Sequence, residues 1–146
     1  MRTYRRRARE IALQALYTWQ LAGGGAREIL EQAKSLEGYD RCDRALAESL
    51  VGGVLSRAAE LEALLLPCVS GRSFGQLSPV ERAILYIGAL ELAAHPETPF
   101  KVVVNEAIEL GKSFGGAEGH RFVNGVLERL AATLRPVEVA RARQTA

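Results

Sequence analysis

Proline and glycine divide this chain into segments that have the length and the hydrophobic period of α-helices. The clearest start is SPVERAILYIGALEL, where Ser78 is a natural N-cap, Pro79 fits the first helical position and Glu81 completes a capping box. TPFKVVVNEAIELGKSFG repeats this arrangement with Thr98 and Pro99. The VVV run lies inside a helical period, so no segment predicts a strand.

The same punctuation delimits the remaining helices. They are predicted from about Thr3 to Ala22, over AREILEQAKSLE before Gly38, from about Asp43 to Leu66, and from roughly Glu118 to Leu134. Gly52 and Gly53 disfavour a helix interior, so the third helix is expected to bend or to pack closely there. The pattern predicts an all-α fold of six to seven helices, packed as two small helical bundles in one compact domain over residues 1–136. Residues 137–146 are expected to form a flexible basic tail.

The composition is that of an ordinary globular protein, with 48% hydrophobic and 25% charged residues among 146. The longest apolar stretch, around ALLLPCV, is far shorter than the roughly 20 residues that span a bilayer. The two cysteines and two histidines are widely spaced, which disfavours a metal site or a disulfide framework. Free thiols suit a reducing compartment, so the sequence predicts a cytoplasmic protein without a cofactor.

Positive charge is concentrated in the first ten residues, which carry five arginines and one acid, although the whole chain has a formal net charge of only +2. This basic start superficially resembles a secretory signal. Polar residues interrupt the apolar region that such a signal needs, so the segment is expected to belong to the folded protein. Basic blocks of this kind often meet nucleic acid or an anionic membrane.

On a helical wheel, the first helix has an apolar stripe and a basic, aromatic arc. The stripe comprises Tyr4, Ala8, Ile11, Ala12, Ala15, Leu16 and Trp19. The arc comprises Arg6, Arg9, Leu13, Tyr17 and Gln20. Guanidinium groups bind phosphate oxygens and an exposed tyrosine ring can stack on an unpaired base, so the arc predicts a surface for single-stranded RNA. The alternative is a solvated helix end, although positive charge there opposes the helix dipole.

A second candidate surface is GKSFGGAEGHRF, which places Lys112, Phe114, Arg121 and Phe122 around a glycine-rich turn. Free N–H groups at the start of the following helix attract anions, and either phenylalanine could stack on a base. The residues alone favour the alternative, a plain connection between two helices with buried phenylalanines.

No residue pattern predicts catalysis or nucleotide binding. GKS resembles the end of a phosphate-binding loop, but Glu106 occupies the position where that loop requires glycine. Glu106 and Glu109, followed by Lys112, are typical of a solvated helix surface. No Ser/His/Asp or Cys/His arrangement can be identified.

Several long motifs in order, RRRAREIALQALYTWQL, PVERAILYIGALEL and PFKVVVNEAIELGKSFG followed by HRFVNGVLERL, resemble the transcription antitermination factor NusB family over nearly the whole chain. The resemblance implies an all-helical RNA-binding protein without catalytic activity. It also implies a partner, the small-subunit ribosomal protein called NusE, and joint recognition of the boxA element in nascent transcripts. Together with other Nus factors, such a pair joins RNA polymerase and suppresses premature termination, notably in ribosomal RNA operons.

The resemblance also implies roles for individual residues. Its arginine-rich start and helix-one tyrosine correspond to residues here, and its RNA surface continues over the glycine-rich turn. Together with the two basic residues of that turn, the predicted RNA contacts are Arg5, Arg6, Arg7, Arg9, Tyr17, Lys112, Phe114, Gly115, Glu118, Arg121 and Phe122. The ribosomal-protein contact corresponds to Glu81 and Arg82.

Two other classes of protein remain open from the sequence. The same helical domain forms the RNA-binding front end of ribosomal RNA cytosine methyltransferases, so the chain could be a stand-alone domain related to them. It could also be a protein-interaction module whose basic end meets an acidic partner instead of RNA.

Overall fold

The computed structural model describes residues 3–115 and 119–145, and within them it contains seven α-helices and no strand. The helices are α1 (Tyr4–Ala22), α2 (Ala26–Lys34), α3 (Arg44–Leu65), α4 (Pro79–Ala94), α5 (Phe100–Phe114), α6 (Gly119–Leu134) and α7 (Pro136–Thr145). Short 3₁₀ turns lie at Tyr39–Arg41, Leu66–Cys68 and Phe74–Gln76. The prediction of an all-α fold is confirmed. No helix of the described ranges has the length and apolar character needed to cross a membrane.

Helix α4 is the centre of the molecule. All ten residues from Ala83 to Leu92 are buried, because four helices, α1, α3, α5 and α6, pack against α4. A helix that is apolar nearly all round has to be buried in this way. The two predicted bundles are recognisable as α1–α3 and α4–α6, but α4 joins them into one continuous hydrophobic core.

The predicted cap of α4 is present, and the predicted cap of α5 is wrong. The hydroxyl of Ser78 accepts a hydrogen bond from the N–H of Glu81, and the carboxylate of Glu81 accepts one from the N–H of Ser78. Thr98 makes no such bond to α5 and is buried instead. The N–H of Phe100 donates to the carboxylate of Glu138 at 2.7 Å, so a residue of α7 satisfies the start of α5.

Residues 136–145 form α7 and not the frayed tail that the sequence predicts. Besides Glu138, this helix contributes Val139, which is 4% exposed in the core. Just before α7, the Arg135 guanidinium donates to carbonyls at the end of α4 and in the turn that follows; these belong to Glu91, Leu92, His95 and Thr98. These long-range contacts order a segment whose own sequence has no strong helical period.

Glycine lets α4 approach its neighbours closely. A side chain at Gly53 of α3 would place its Cβ 2.7 Å from Leu90 Cδ2, and one at Gly88 would meet Leu127 Cδ1 at 2.6 Å. The predicted close packing is therefore confirmed at Gly53. The irregular backbone of α3 lies further on, at Arg57, where φ is −123° and ψ is 17°.

Helix α1 buries more of its circumference than the predicted stripe. Arg9 and Leu13, expected on the outer arc, are each 2% exposed, whereas Tyr4, expected in the stripe, is 67% exposed. Arg9 and Leu13 are buried because α1 packs against α2, α3, α4 and α5, so its buried face extends beyond the narrow stripe of a helix with one neighbour. Tyr4 is the first residue of the helix.

Candidate nucleic-acid interface

An open groove of about 340 Å³ runs beside the outer face of α1 and carries two partly exposed aromatic rings. We call it the aromatic groove; it is lined by Leu13, Gln14, Tyr17, Thr18, Leu36, Val80 and Phe114. Tyr17 is 39% exposed and Phe114 is 40% exposed. Rings accessible to this extent can stack on an unpaired base, as the sequence predicted for both residues.

A second groove of similar volume, about 340 Å³, adjoins the first. We call it the charged groove; it is lined by Arg7, Glu10, Ile11, Gln14, Glu37, Gly38, Arg41 and Phe114. Gln14 and Phe114 line both grooves, so the two form one track along α1. Of the predicted arginines, Arg7 is the one that lines this track.

Arg9 does not lie on the exposed surface, and the prediction that it shares a face with Arg6 and Tyr17 is wrong. Its guanidinium donates to Glu91 of α4 through Nη2 at 2.8 Å and Nε at 3.0 Å, and the two side chains are 3% and 1% exposed. A second contact, from Nη1 to Glu106 Oε1, is 3.5 Å long. A buried charge needs such partners, so Arg9 is occupied inside the fold.

Arg6 is at the surface but is held by Glu106 of α5. Its Nη2 lies 2.7 Å from Oε2 and its Nε 3.2 Å from Oε1, in a bidentate pair. This hydrogen bonding raises the pKa of the Arg6 guanidinium above its ordinary value. Glu106 is only 14% exposed in its side chain and therefore does not belong to a solvated surface as the sequence predicted.

The other two arginines of the basic start are less constrained. Arg5 is half-exposed, and its Nη1 lies 3.6 Å from Asp43 Oδ2. Arg7 donates one hydrogen bond from Nη1 to the carbonyl of Arg41 at 3.3 Å, and its guanidinium forms no ion pair within the described part of the chain. Arg5 and Arg7 thus retain N–H groups for an external phosphate.

The residues of the glycine-rich turn are divided between surface and core. Lys112 is exposed, with its Nζ 3.7 Å from Glu109, and Arg121 is exposed in the first turn of α6. Gly115 ends α5 through its N–H, which donates to Gly111 at 2.8 Å. Phe122 is half-buried against the core. Glu118 lies outside the described residues.

Arg72 is a further basic residue beside this turn. Its guanidinium carbon lies 4.6 Å above the centroid of the Phe122 ring, and its Nη2 is 3.3 Å from Glu81 Oε1. Phe122 therefore offers one face to Arg72, and the stacking role predicted for it is shared with an intramolecular cation–π contact.

The two residues predicted to bind a protein partner lie together at the start of α4. Glu81 is occupied within the chain by the capping box and by Arg72. Arg82 is half-buried, and its Nε is buried without a hydrogen-bond partner in the part of the chain that the structure describes. Because Glu81 already has partners within the chain and the Arg82 guanidinium has none among the described residues, Arg82 is the better candidate of the two.

Several important residues were missed in the sequence. The burial and pairing of Glu91 could have been inferred, because it is a lone acid in the apolar run of α4 and a buried acid needs a cation. No sequence pattern identifies Glu37 and Arg41 as groove residues, since they belong to a short polar connection whose position depends on α2 and α3. No group of three histidine, cysteine, aspartate or glutamate side chains within residues 3–115 and 119–145 could hold a metal ion.

The chain is similar to proteins of one bacterial family. Residues 6–132 match the family model described as the NusB family. The transcription antitermination protein NusB of Paraburkholderia phymatum is 48% identical over 135 residues, which is 92% of each chain. Among solved structures, T. maritima NusB superposes with a TM-score of 0.82 at 28% identity, covering 97% of this chain and 99% of that one.

A second solved structure contains antitermination factors NusB and NusE in complex with double-stranded RNA. The matching chain in that structure superposes with a TM-score of 0.75 at 25% identity. The superposition covers 89% of this chain and 97% of that one. The match to the family model extends over most of the sequence, and the curated relative agrees with it in both length and identity. This chain belongs to the NusB family.

Proposed function

We propose that this protein is an RNA-binding antitermination factor that recognises boxA-type single-stranded RNA together with the ribosomal protein NusE. With other Nus factors, the pair joins RNA polymerase and helps it read through terminators, notably in ribosomal RNA operons. The role needs no catalytic step and is carried out in the cytoplasm, where transcripts emerge. Family membership supports it, as does the solved NusB and NusE complex with RNA.

The observation that carries the RNA-binding proposal is the aromatic groove beside the basic start of α1. Tyr17 and Phe114 expose about two-fifths of their surface there, next to Arg7 in the adjoining groove. Aromatic rings bind unpaired bases by stacking, and arginines bind the phosphates between them. A duplex keeps its bases stacked on each other, so single-stranded RNA fits this surface better.

For the protein partner, we propose the start of α4, with Arg82 as the main contact. Its half-buried guanidinium has no hydrogen-bond or ion-pair partner among the described residues, so its accessible N–H groups can bind an acceptor on NusE. Arg82→Ala is expected to weaken NusE binding without changing RNA binding by the chain alone. Glu81→Ala is a poorer test, because it also removes the carboxylate that accepts a hydrogen bond from the Ser78 N–H and pairs with Arg72.

The test of RNA binding is fluorescence anisotropy with boxA RNA, a scrambled single strand and a duplex, each with and without NusE. The boxA strand should bind most tightly, and NusE should increase its advantage over the scrambled strand. If three or four phosphates are neutralised, log K should fall with log[salt] with a slope of roughly −2 to −3. A flat salt response, or equal affinity for all three RNAs with NusE present, would contradict the proposal.

Tyr17→Ala should weaken binding of the single strand by about 1–3 kcal/mol, the range for loss of one stacked base. Leu66→Ala is the matched control, because Leu66 is also an exposed large apolar residue, at 54%, but lines neither groove. Equal affinities of the two variants would remove Tyr17 from the RNA surface.

A further inference from the structure

The charged groove contains polar side chains that the fold itself leaves unused. The guanidinium of Arg41 and the carboxylate of Glu37 have no hydrogen-bond or ion-pair partner among the described residues. Arg7 uses one N–H, toward the carbonyl of Arg41. By contrast, Arg6 and Arg9 are held by Glu106 and Glu91. Arg7 and Arg41 therefore retain N–H groups for a ligand in this groove.

Three different segments build the groove. Arg7 and Gln14 come from α1, whereas Glu37 and Arg41 come from the connection between α2 and α3. The hydrogen bond from Arg7 to the Arg41 carbonyl joins these two segments directly. Phe114, at the end of α5, closes the groove on the side of the aromatic groove. The connection between α2 and α3 thus lies beside the RNA surface predicted from the sequence.

We infer that the charged groove is a binding site for one unpaired nucleotide of the RNA, with the connection between α2 and α3 as a further RNA-contacting segment. Arg7 and Arg41 bind the phosphate, Phe114 contacts the face of the base, and Glu37 accepts hydrogen bonds from its edge. This inference rests on the proposed RNA-binding function and assigns new residues to it.

The chemistry of the groove fits a nucleotide better than a bare anion. Two arginines supply donors for phosphate oxygens, but two carboxylates, Glu10 and Glu37, would repel a second phosphate. A carboxylate accepts hydrogen bonds from amino groups of bases, as in glutamate contacts to cytosine N4. Adenine, cytosine and guanine carry such a group and uracil does not. The groove should therefore prefer an amino-bearing base.

The test uses the full chain and single-stranded boxA RNA in which each position is replaced in turn by uracil or by an abasic site. With the wild-type protein, replacement at one position should reduce affinity about tenfold, within the range for a specific base contact. Glu37→Ala should abolish this loss for uracil at that position. If Glu37 is merely solvated, its removal will raise affinity for every RNA equally and leave the ratio unchanged, which would overturn the inference.

Arg41→Ala should weaken binding of all RNAs and reduce the steepness of the salt dependence by about 0.7, the value for one phosphate of a single strand. Arg143→Ala is the matched control, because it removes one exposed positive charge from α7, in a groove with Phe100 and Glu128. Equal salt slopes for the two variants would overturn the inference. Circular dichroism confirms that each variant is folded, and Arg41→Lys should restore most of the slope.

These results separate the two proposals. If the wild-type protein binds no RNA, with or without NusE, both fail. If it binds RNA and Tyr17→Ala weakens binding, but the Glu37 and Arg41 variants behave as their controls, the function stands and the nucleotide site is wrong. Displacement of the RNA by micromolar nucleoside monophosphate alone would identify the groove as a mononucleotide site and also overturn the inference.

Discussion

Arg9 of α1 and Glu91 of α4 form an ion pair in the core, 2.8 Å long between Nη2 and Oε1. Their side chains are 3% and 1% exposed, and the residues are 82 positions apart in the chain. The attraction between two buried charges offsets the cost of removing them from water only while both are present. The pair therefore joins α1 to α4 at the centre of the fold, and Arg9 is not part of the exposed RNA-binding surface.

Removing one partner of this pair should destabilise the protein strongly. Arg9→Met or Glu91→Gln is expected to lower the free energy of unfolding by about 3–5 kcal/mol, because the remaining charge is left buried without its bidentate partner. Replacing both by apolar residues should cost less than the sum of the single changes. Urea denaturation measures each value. Lys34→Met, which breaks an exposed pair with Glu31, is the control and should have little effect.

Releasing Arg6 from Glu106 should increase RNA binding. Glu106→Gln removes the charge that holds the Arg6 guanidinium, so this arginine becomes available for a phosphate. Affinity should rise, and the salt dependence should become steeper by about 0.7 if one more phosphate is bound. Glu128→Gln makes the same change in net charge outside the two α1 grooves. The same salt slope in both variants would show that Arg6 does not contact RNA.

The two adjacent glycines of α3 should respond oppositely to alanine. At Gly53 the new Cβ would lie 2.7 Å from Leu90 Cδ2, so the core has to shift, at a cost of about 1–3 kcal/mol. At Gly52 nothing lies within 4 Å of the new Cβ, and alanine in a helix interior should stabilise by about 0.5–1 kcal/mol. Thermal and urea unfolding compare them. A stabilised Gly53→Ala would contradict the close contact of α3 with α4.

Tyr86 should make the protein less stable at high pH. Burial raises the pKa of its hydroxyl, and the residue packs edge-on against Trp19 and Phe74. Its stabilisation is fully present below the ordinary tyrosine pKa of about 10 and is lost as pH rises through the higher folded value. Unfolding free energies at about pH 8 and about pH 10.5 should differ less in Tyr86→Phe than in the wild type. Tyr4→Phe, at an exposed position, should behave as the wild type.

Much of the helical structure could be predicted because its signals are local. The capping box of Ser78 and Glu81 and the stop at Gly23, where φ is 74°, involve residues only a few positions apart. The buried and exposed sides of α1 were less predictable. Periodicity places an arginine on a face, but it cannot show that a carboxylate 82 or 100 positions away lies within 3 Å of it.

Some residues of the candidate site could be recognised from the sequence, and others only from the structure. The basic start of α1, Tyr17 and Phe114 were visible as residue types suited to RNA, and the aromatic groove brings the two rings together. The role of α7 was hidden, because Glu138 acts on the N–H of Phe100, 38 positions earlier. The contribution of Arg41 was hidden too, since a short polar connection contains no pattern that fixes its position in space.

By itself the sequence determined helices α1 to α6, the cap of α4 and the family, because these depend on side chains within about a turn of each other and on motifs in a fixed order. Only the tertiary structure decided which arginines are available. Packing of α1 against α4 and α5 places Glu91 and Glu106 beside Arg9 and Arg6 and neutralises them. It leaves Arg7 at the groove with Arg41. Charge pairing requires proximity in space, which the order of residues alone does not specify.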